Sequence, residues 1–287
     1  MFSLIRGIFR LALTVFFAGF AVAFAQEDLK NGQYVAKAAG CVGCHTDTKP
    51  RSVPFAGGRA LDTPFGTFYG PNITPHRETG LGKWSEADFR RAIRLGERPD
   101  GAHYFPAFPY PSFTGMTDRD IRDLWAYLLS QPPVNRSNQA HKLRFPFGWR
   151  FMVTFWKWLF FTPGPFVASP QAPAAVNRGA YLVRVLGHCG ECHTPRNLLG
   201  GPNANRSLAG ARLPEGRTPN LTPTRLKKWS DAQLKEFLRS GLTPDGDVAA
   251  ETMDEVIRNT TSQITPEDLA AVVAYLRALA PLPDEPK

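Results

Sequence analysis

The sequence predicts an all-α fold made of two tandem copies of one module, joined by an aromatic-rich linker. The first observation is an internal repeat, because a Gly-x-Tyr sequence leads to a Cys-x-x-Cys-His-Thr sequence in each half of the chain. The second is a set of well-marked helix starts and stops, and the third is that no stretch has sustained strand alternation. The repeat predicts a first module at residues 26–140, a linker at 141–176 and a second module at 177–287.

Residues 1–25 have the pattern of an export signal. Arg6 and Arg10 precede a run of 15 apolar and small residues that a single threonine interrupts. The run ends in Ala23-Phe24-Ala25, a small-x-small sequence typical of signal-peptide cleavage. We therefore expect residues 1–25 to be removed and the folded part to lie in the periplasm. The alternative is an uncleaved membrane anchor, although a spanning helix needs about 20 apolar residues.

The chain has a basic excess, with a formal net charge of +9. Such an excess can indicate nucleic-acid binding. Export excludes nucleic acid as a partner, so the charge favours an acidic docking face of another protein or an anionic membrane surface.

The repeat continues downstream of the cysteine motif in both modules. The matched pairs are Pro71-Asn72-Ile73-Thr74-Pro75 with Pro219-Asn220-Leu221-Thr222-Pro223, Trp84-Ser85 with Trp229-Ser230, Pro99-Asp100-Gly101 with Pro244-Asp245-Gly246, and Ala126-Tyr127-Leu128 with Ala274-Tyr275-Leu276. Each module is therefore predicted to repeat the same short helices and long loops.

Helix signals occur at equivalent places in the two modules. Residues 27–39 and 177–187 are predicted to form the helices that precede the cysteine motifs. The predicted N-caps are Ser85, Thr117, Ser230 and Thr265, and the predicted helix stops are Gly96 and Gly241. Asp88 and Gln233, three residues after their serines, are expected to complete capping boxes.

The predicted linker is unusually aromatic, with ten aromatic residues between positions 145 and 166. Its apolar part, residues 151–161, is too short to span a bilayer and is interrupted by Lys157. We expect either an interfacial strip that contacts a membrane or membrane partner, or a linker packed between the two modules.

Each Cys-x-x-Cys pair is followed at once by histidine, a pattern typical of covalent haem c attachment. Two cysteines one helical turn apart place their sulfurs on the same side, where they can form thioethers with the two vinyl groups of one porphyrin. The predicted thioether residues are Cys41, Cys44, Cys189 and Cys192, and the predicted proximal iron ligands are His45 and His193. Disulfides or zinc are the alternative interpretations, and the adjacent histidines disfavour both.

A ligating histidine is expected to donate its other ring N–H to a backbone carbonyl. Pro54 and Pro202, each nine residues after its histidine, are the predicted acceptors.

The sixth ligand of each iron is predicted to be a methionine, which favours electron transfer over catalysis. The four methionines of the chain are Met1, Met116, Met152 and Met253. Met116 and Met253 lie between a cysteine motif and a closing helix, so they are the predicted distal ligands. They do not align in the repeat, and His76 and His103 remain alternatives for the first iron.

His188, next to Cys189, is expected to lie at the surface or beside a ligand rather than to bind iron. The chain has no nucleophile elbow, dinucleotide fingerprint or second metal cluster. We therefore expect an electron-transfer protein rather than an enzyme.

The chain resembles the cytochrome c subunits of membrane-bound bacterial dehydrogenases that oxidise alcohols, gluconate or sorbitol. The resemblance rests on the Pro71–Pro75 segment, Gly82-Lys83-Trp84-Ser85, Ala107-Phe108-Pro109-Tyr110-Pro111-Ser112-Phe113, Met116-Thr117-Asp118 and Met253-Asp254-Glu255-Val256-Ile257-Arg258-Asn259-Thr260. It implies class I cytochrome c domains with two haem c groups, and it implies Met116 as the ligand of the first haem.

The resemblance also implies a periplasmic relay. Electrons would pass from a dehydrogenase catalytic subunit to quinone, another cytochrome or an oxidase, with peripheral association at the outer face of the cytoplasmic membrane. The better-known members have three haem motifs, whereas this chain has two, so its partner is expected to be a different dehydrogenase or none. The alternative function is a dihaem oxidoreductase in its own right, similar to a peroxidase or a thiosulfate dehydrogenase.

Overall fold

The computed structural model describes residues 26–213 and 216–284, so the predicted signal segment at residues 1–25 lies outside the described part of the chain. The first module begins with a helix over residues 26–38, named α1. The elements that follow are α2 (Cys41–His45), β1 (Ala60–Thr63), β2 (Gly66–Tyr69), α3 (Glu86–Leu95), α4 (Tyr110–Phe113) and α5 (Asp118–Leu129).

The linker segment contributes β3 (Lys142–Leu143) and α6 (Phe151–Phe160). The second module begins with α7 (Ala174–Tyr181), which continues as a π-helical turn over Leu182–Leu186. The later elements are α8 (Gly190–His193), a 3₁₀ turn (Ala204–Arg206), β4 (Ala211–Leu213), β5 (Gly216–Thr218), α9 (Pro223–Leu226), α10 (Asp231–Ser240), α11 (Glu251–Asn259), a 3₁₀ turn (Thr261–Gln263) and α12 (Pro266–Ala278).

The strictly all-α prediction needs correction, because each module carries a small antiparallel hairpin. In the first module Ala60 pairs with Tyr69 across β1 and β2, and β3 of the linker adds a third strand to β2. In the second module β4 pairs with β5. These strands are two to four residues long, which is too short for side-chain alternation to be recognised in the sequence. The segment predicted as linker thus begins as an edge strand of the first module's sheet.

The predicted helix caps are confirmed. Ser85 and Ser230 form capping boxes with Asp88 and Gln233, in which side chain and backbone hydrogen-bond reciprocally. The side chains of Thr117 and Thr265 accept from the backbone N–H three residues on. Helices α3 and α10 end at Gly96 and Gly241, both in the left-handed conformation. Local sequence therefore sets the starts of these four helices, and the stops of α3 and α10, in the same way in both modules.

A repeated glycine lets the first and last helices of each module cross at close range. A Cβ atom at Gly32 of α1 would lie 2.0 Å from the Asp123 carbonyl oxygen of α5. A Cβ atom at Gly179 of α7 would lie 1.9 Å from the Ala271 carbonyl oxygen of α12. Both distances are far inside van der Waals contact, so the glycine of the Gly-x-Tyr repeat is needed for this crossing.

The tyrosine of the same repeat joins the two modules reciprocally. Tyr34 of α1 donates a hydrogen bond to Asp268 and accepts one from the Thr265 backbone N–H at the start of α12. Tyr181 of α7 donates to Asp120 and accepts from the Thr117 backbone N–H at the start of α5. Each module therefore contacts the N-terminus of the other module's closing helix, and the hydrophobic core runs through both.

Helix α6 packs across both modules and keeps an exposed aromatic face. Val153 is buried, Lys157 Nζ donates to the Leu95 carbonyl at 2.6 Å, and Trp156 Nε1 donates to the Leu199 carbonyl at 3.0 Å. On the outer face, Trp158 is 83% exposed. Within residues 26–213 and 216–284, no helix is long and apolar enough to cross a membrane.

Candidate haem sites

The first cysteine motif opens onto a large cavity in the first module. The cavity has a volume of about 940 Å³, and its lining includes Cys41, Cys44, His45 and Met116. Its other walls are mainly apolar and aromatic side chains of the first module. The predicted attachment cysteines, the predicted proximal histidine and Met116 thus share one mainly apolar cavity, and this donor set fits a haem c group.

The histidines of both motifs are held by proline carbonyls. His45 Nδ1 lies 2.8 Å from the Pro71 carbonyl oxygen, and His193 Nδ1 lies 2.7 Å from that of Pro219. A carbonyl oxygen can only accept, so Nδ1 carries the proton and Nε2 keeps its lone pair for a metal. In both modules the acceptor proline lies 26 positions after the histidine.

The predicted acceptors, Pro54 and Pro202, were therefore wrong. Pro54 is exposed, and Pro202 forms a β-bridge with Arg196. The residues that act instead are the first prolines of the repeated Pro-Asn-Ile/Leu-Thr-Pro segments. The sequence did contain a signal for them, because these segments are repeated in the two modules, but their nearness to the histidine needs the fold.

Buried asparagines fix the carbonyls in place. The side-chain oxygen of Asn72 accepts from the Thr74 backbone N–H at 2.9 Å, and that of Asn220 accepts from the Thr222 N–H at 2.8 Å. This Asx turn, closed by the asparagine side chain, orients the segment that begins with the acceptor proline. In the first module Gly70 is also required, because a Cβ atom there would lie 1.8 Å from the Cys44 carbonyl oxygen.

Burial governs the protonation of the motif side chains. It lowers the pKa of His45 and of His193, against the hydrogen bonds to Pro71 and Pro219, which favour the charged form. Burial also raises the pKa of the Cys41 thiol to about 12. The imidazoles are therefore neutral at neutral pH, which is the form that binds a metal.

Met116 lies in the wall of the first cavity and is 0% exposed. Its backbone N–H donates to the Phe113 carbonyl at 2.9 Å, and the next residue caps α5, so the position is fixed from both sides. The alternative ligands are engaged elsewhere. The His76 ring contacts Thr79 at 2.9 Å, and the His103 ring contacts Lys157 at 3.0 Å.

The residues predicted for the second site lie on α8 and α11. His193 is buried at the end of α8. Met253 is half-buried on α11, one turn before the fully buried Ile257, so both lie on the inner face of that helix. Met116 instead follows the short helix α4, which explains why the two methionines do not align in the repeat.

The first cysteine motif lies against the second module. A Cβ atom at Gly43, inside the first motif, would lie within 3.7 Å of Glu255 and Asn259 on α11. Glu255 in turn pairs with Arg59 of the first module at 2.7 Å. Burial, followed by Glu255, raises the pKa of the Cys44 thiol, and Cys192 of the second motif adds to this effect. The first motif therefore lies at the interface with α11 of the second module.

Two modules, each with a haem-attachment motif and an oriented histidine, define a two-centre electron-transfer protein. The chain belongs to the cytochrome c family, whose model matches residues 29–132 and residues 176–280. Each matched range contains one Cys-x-x-Cys-His motif, so the protein carries two covalently bound haem c groups.

Several characterised proteins are similar over most of this chain. It is 44% identical over 255 residues to a "Diheme cytochrome c-type" protein of Cereibacter sphaeroides, and the alignment covers 87% of this chain and 85% of that protein. It is 42% identical to a subunit of nicotinate dehydrogenase from Pseudomonas putida, over 88% of this chain but 21% of that protein. It is 38% identical to the fructose dehydrogenase cytochrome subunit of Gluconobacter japonicus, over 88% of this chain and 53% of that protein.

Proposed function

We propose that this protein relays single electrons from the catalytic subunit of a dehydrogenase to quinone, another cytochrome or an oxidase. The observation that carries the proposal is that both haem motifs pack against one shared core, with Cys41 and Cys189 both in contact with it, which suits passage of an electron through the molecule. The names of the similar proteins support a dehydrogenase as donor, since they include subunits of nicotinate and fructose dehydrogenases. The chain matches 21% of the nicotinate dehydrogenase subunit and 53% of the fructose dehydrogenase subunit.

The proposed attachment residues are the four cysteines of the two motifs, with His45 and His193 as proximal ligands and Met116 and Met253 as distal ligands. The hydrogen bonds to Pro71 and Pro219 support the histidines, because they leave Nε2 available on both rings. The burial of Met116 in the cavity wall supports its role. When bound, haem c supplies an iron that gains and loses one electron, and the chain's residues hold it, orient its ligands and exclude water.

We further propose that the protein works in the periplasm and lies on an anionic membrane surface through the outer face of α6 and its approach segment. This aromatic face consists of Phe145, Trp149, Phe151, Phe155 and Trp158, all of which are exposed. An exposed patch of this size and composition is typical of an interfacial helix.

The charge around the aromatic face supports a lipid rather than a protein occupant. Residues 124–190 contain no Asp or Glu. The basic residues that lie next to the aromatic face in the chain are Lys142, Arg144 and Arg150. Arg136, Lys157 and Arg178 instead pair with Asp47, Glu97 and Asp268. Aromatic side chains at the headgroup level with basic residues beside them match the preferences of an anionic bilayer surface.

Vesicle binding tests the membrane proposal. The holoprotein should co-sediment with vesicles of phosphatidylglycerol, bind less at high salt, and bind phosphatidylcholine vesicles weakly. The double variant Phe155→Ser/Trp158→Ser should lose binding. The control Leu198→Ser, at an apolar residue 98% exposed in the second module, should bind like the wild type. Equal binding by the double variant would contradict the proposal.

Respiration tests the relay. In membranes of the source cells, deletion of the gene should abolish oxygen uptake with one dehydrogenase substrate, and added holoprotein should restore it. Unchanged uptake with alcohols, sugars, sugar acids and nicotinate would contradict the relay. Turnover of hydrogen peroxide or thiosulfate by the purified protein alone would favour the dihaem oxidoreductase instead.

A further inference from the structure

His188 belongs to the second module but reaches the first haem site. In the chain it is joined directly to Cys189, the first cysteine of the second motif. In the fold its side chain lines the cavity that also holds Cys41, Cys44 and His45. The sequence predicted a residue at the surface or beside a ligand, and it did not indicate a contact with the other module.

Two contacts hold the His188 ring against the first module. The ring packs edge-on against Phe113, with centroids 5.4 Å apart and an angle of 76° between the planes. The ring also lies close to the backbone of Ala39, two residues before Cys41. The imidazole is therefore fixed between the cavity and the residues that lead into the first motif.

The backbone conformation at His188 indicates that its side chain has a function. The equivalent residue of the first module is Gly40, which also directly precedes the first cysteine of its motif. Both residues have left-handed backbones, with φ of 61° at Gly40 and 37° at His188. Glycine adopts this conformation freely, whereas a residue with a Cβ atom is disfavoured by about 1–2 kcal/mol. Strain of this kind persists where the side chain makes interactions that the site needs.

We propose that His188 is the bridging residue for electron exchange between the two haems. Its imidazole forms part of the first haem's cavity. Its backbone is joined by one peptide bond to Cys189, whose side chain would form a thioether with the second haem. One haem iron is oxidised from ferrous to ferric while the other is reduced from ferric to ferrous, and no bond or proton is exchanged. The inference rests on the proposed attachment of the second haem through Cys189.

The test uses the purified two-haem protein without any dehydrogenase, so it is independent of the proposed donor. A light pulse with a soluble photoreductant adds about one electron per molecule, and the concentration-independent phase of the absorbance change measures exchange between the haems. His188→Gly should lose this fast phase, while His188→Phe, which keeps an aromatic ring, should retain most of it. His188→Gly is expected to fold, since Gly40 has the equivalent place in the first module. If His188→Gly does not bind two haems, His188→Asn takes its place in the experiment.

The matched control is His141→Phe. His141 lines the same cavity but belongs to the first module's side, where it accepts from the Tyr69 backbone N–H at 3.1 Å. This control changes the same cavity from the side of the first module, so it should keep much more of the fast phase than His188→Gly does. Wild-type exchange in His188→Gly would overturn the proposal. Loss of the fast phase in His141→Phe or His188→Phe as complete as in His188→Gly would also overturn it, because the effect would then come from repacking of the cavity.

Equilibrium reduction potentials give a second readout, one that does not depend on exchange. His188→Phe replaces a polar ring in the first cavity with an apolar one, which disfavours the ferric charge, so one potential should shift upward. Two potentials identical to the wild type would contradict contact between His188 and the first haem site.

Discussion

Substitution of Met116 separates ligation from packing at the first haem. Met116 is 0% exposed, so truncation to alanine removes buried volume as well as the sulfur. Leucine has nearly the same volume but no sulfur. A volume-conserving change of this kind costs less than about 1.5 kcal/mol, whereas Met→Ala in a core costs about 2–5 kcal/mol. At about 2–4 °C per kcal/mol for a chain of this size, Met116→Ala lowers Tm by about 4–20 °C.

Both variants should lose the sulfur-to-iron absorption band of one haem. They should also lower one reduction potential and let that haem bind cyanide, because the sulfur ligand both raises the potential and closes the iron. Met152→Leu is the control, since Met152 lies on α6 and is 38% exposed. Visible spectroscopy, potentiometry and thermal unfolding measure the three effects. If Met116→Leu keeps both bands and both potentials, Met116 is not the ligand.

Three further predictions concern the backbone and the contacts between the modules. In chemical unfolding, Gly57→Ala should lower the free energy of unfolding more than Gly101→Ala does. Both glycines have left-handed backbones. A Cβ atom at Gly57 would lie 2.5 Å from the Asn72 backbone nitrogen, whereas a Cβ atom at Gly101 would have no atom within 4 Å. Tyr34→Phe and Tyr181→Phe should each lower the free energy of unfolding by about 1–3 kcal/mol, because each removes a hydrogen bond to a carboxylate. Burial opposes the charge of Asp268, but hydrogen bonds lower its pKa below the ordinary value, so its carboxylate stabilises the fold above about pH 4 and loses this effect as pH falls through the folded-state pKa. Removal of the Tyr34 hydroxyl should therefore flatten the acid limb of the stability profile, and an unchanged limb would contradict this.

Local features of the fold were predictable because their causes are local. Ser85 and Ser230 cap their helices through residues three positions away, and the capping signal is contained in those few residues. The attachment motifs are equally local, since Cys-x-x-Cys-His carries its chemistry within five residues. The repeat then indicated that the second module would follow the first.

Features that depend on distant residues were not predictable. The hairpins are held by pairings such as Ala60 with Tyr69, in strands too short to leave a pattern. The Pro71 carbonyl reaches His45 only after the intervening loop has folded back. The contact of His188 with the first module depends on how two modules dock, which no single module's sequence specifies. These parts of the site arise from packing between segments rather than from propensity.

The most direct test of the relay is the ligation state of both irons in the purified wild-type holoprotein. Both haems should be six-coordinate and low-spin, each with a sulfur-to-iron absorption band, and the ferrous protein should not bind carbon monoxide. Electron paramagnetic resonance of the ferric protein and carbon monoxide titration of the ferrous protein measure this together. A high-spin ferric signal, or carbon monoxide binding at one haem per chain, would contradict the account, because an open iron suits catalysis rather than electron transfer.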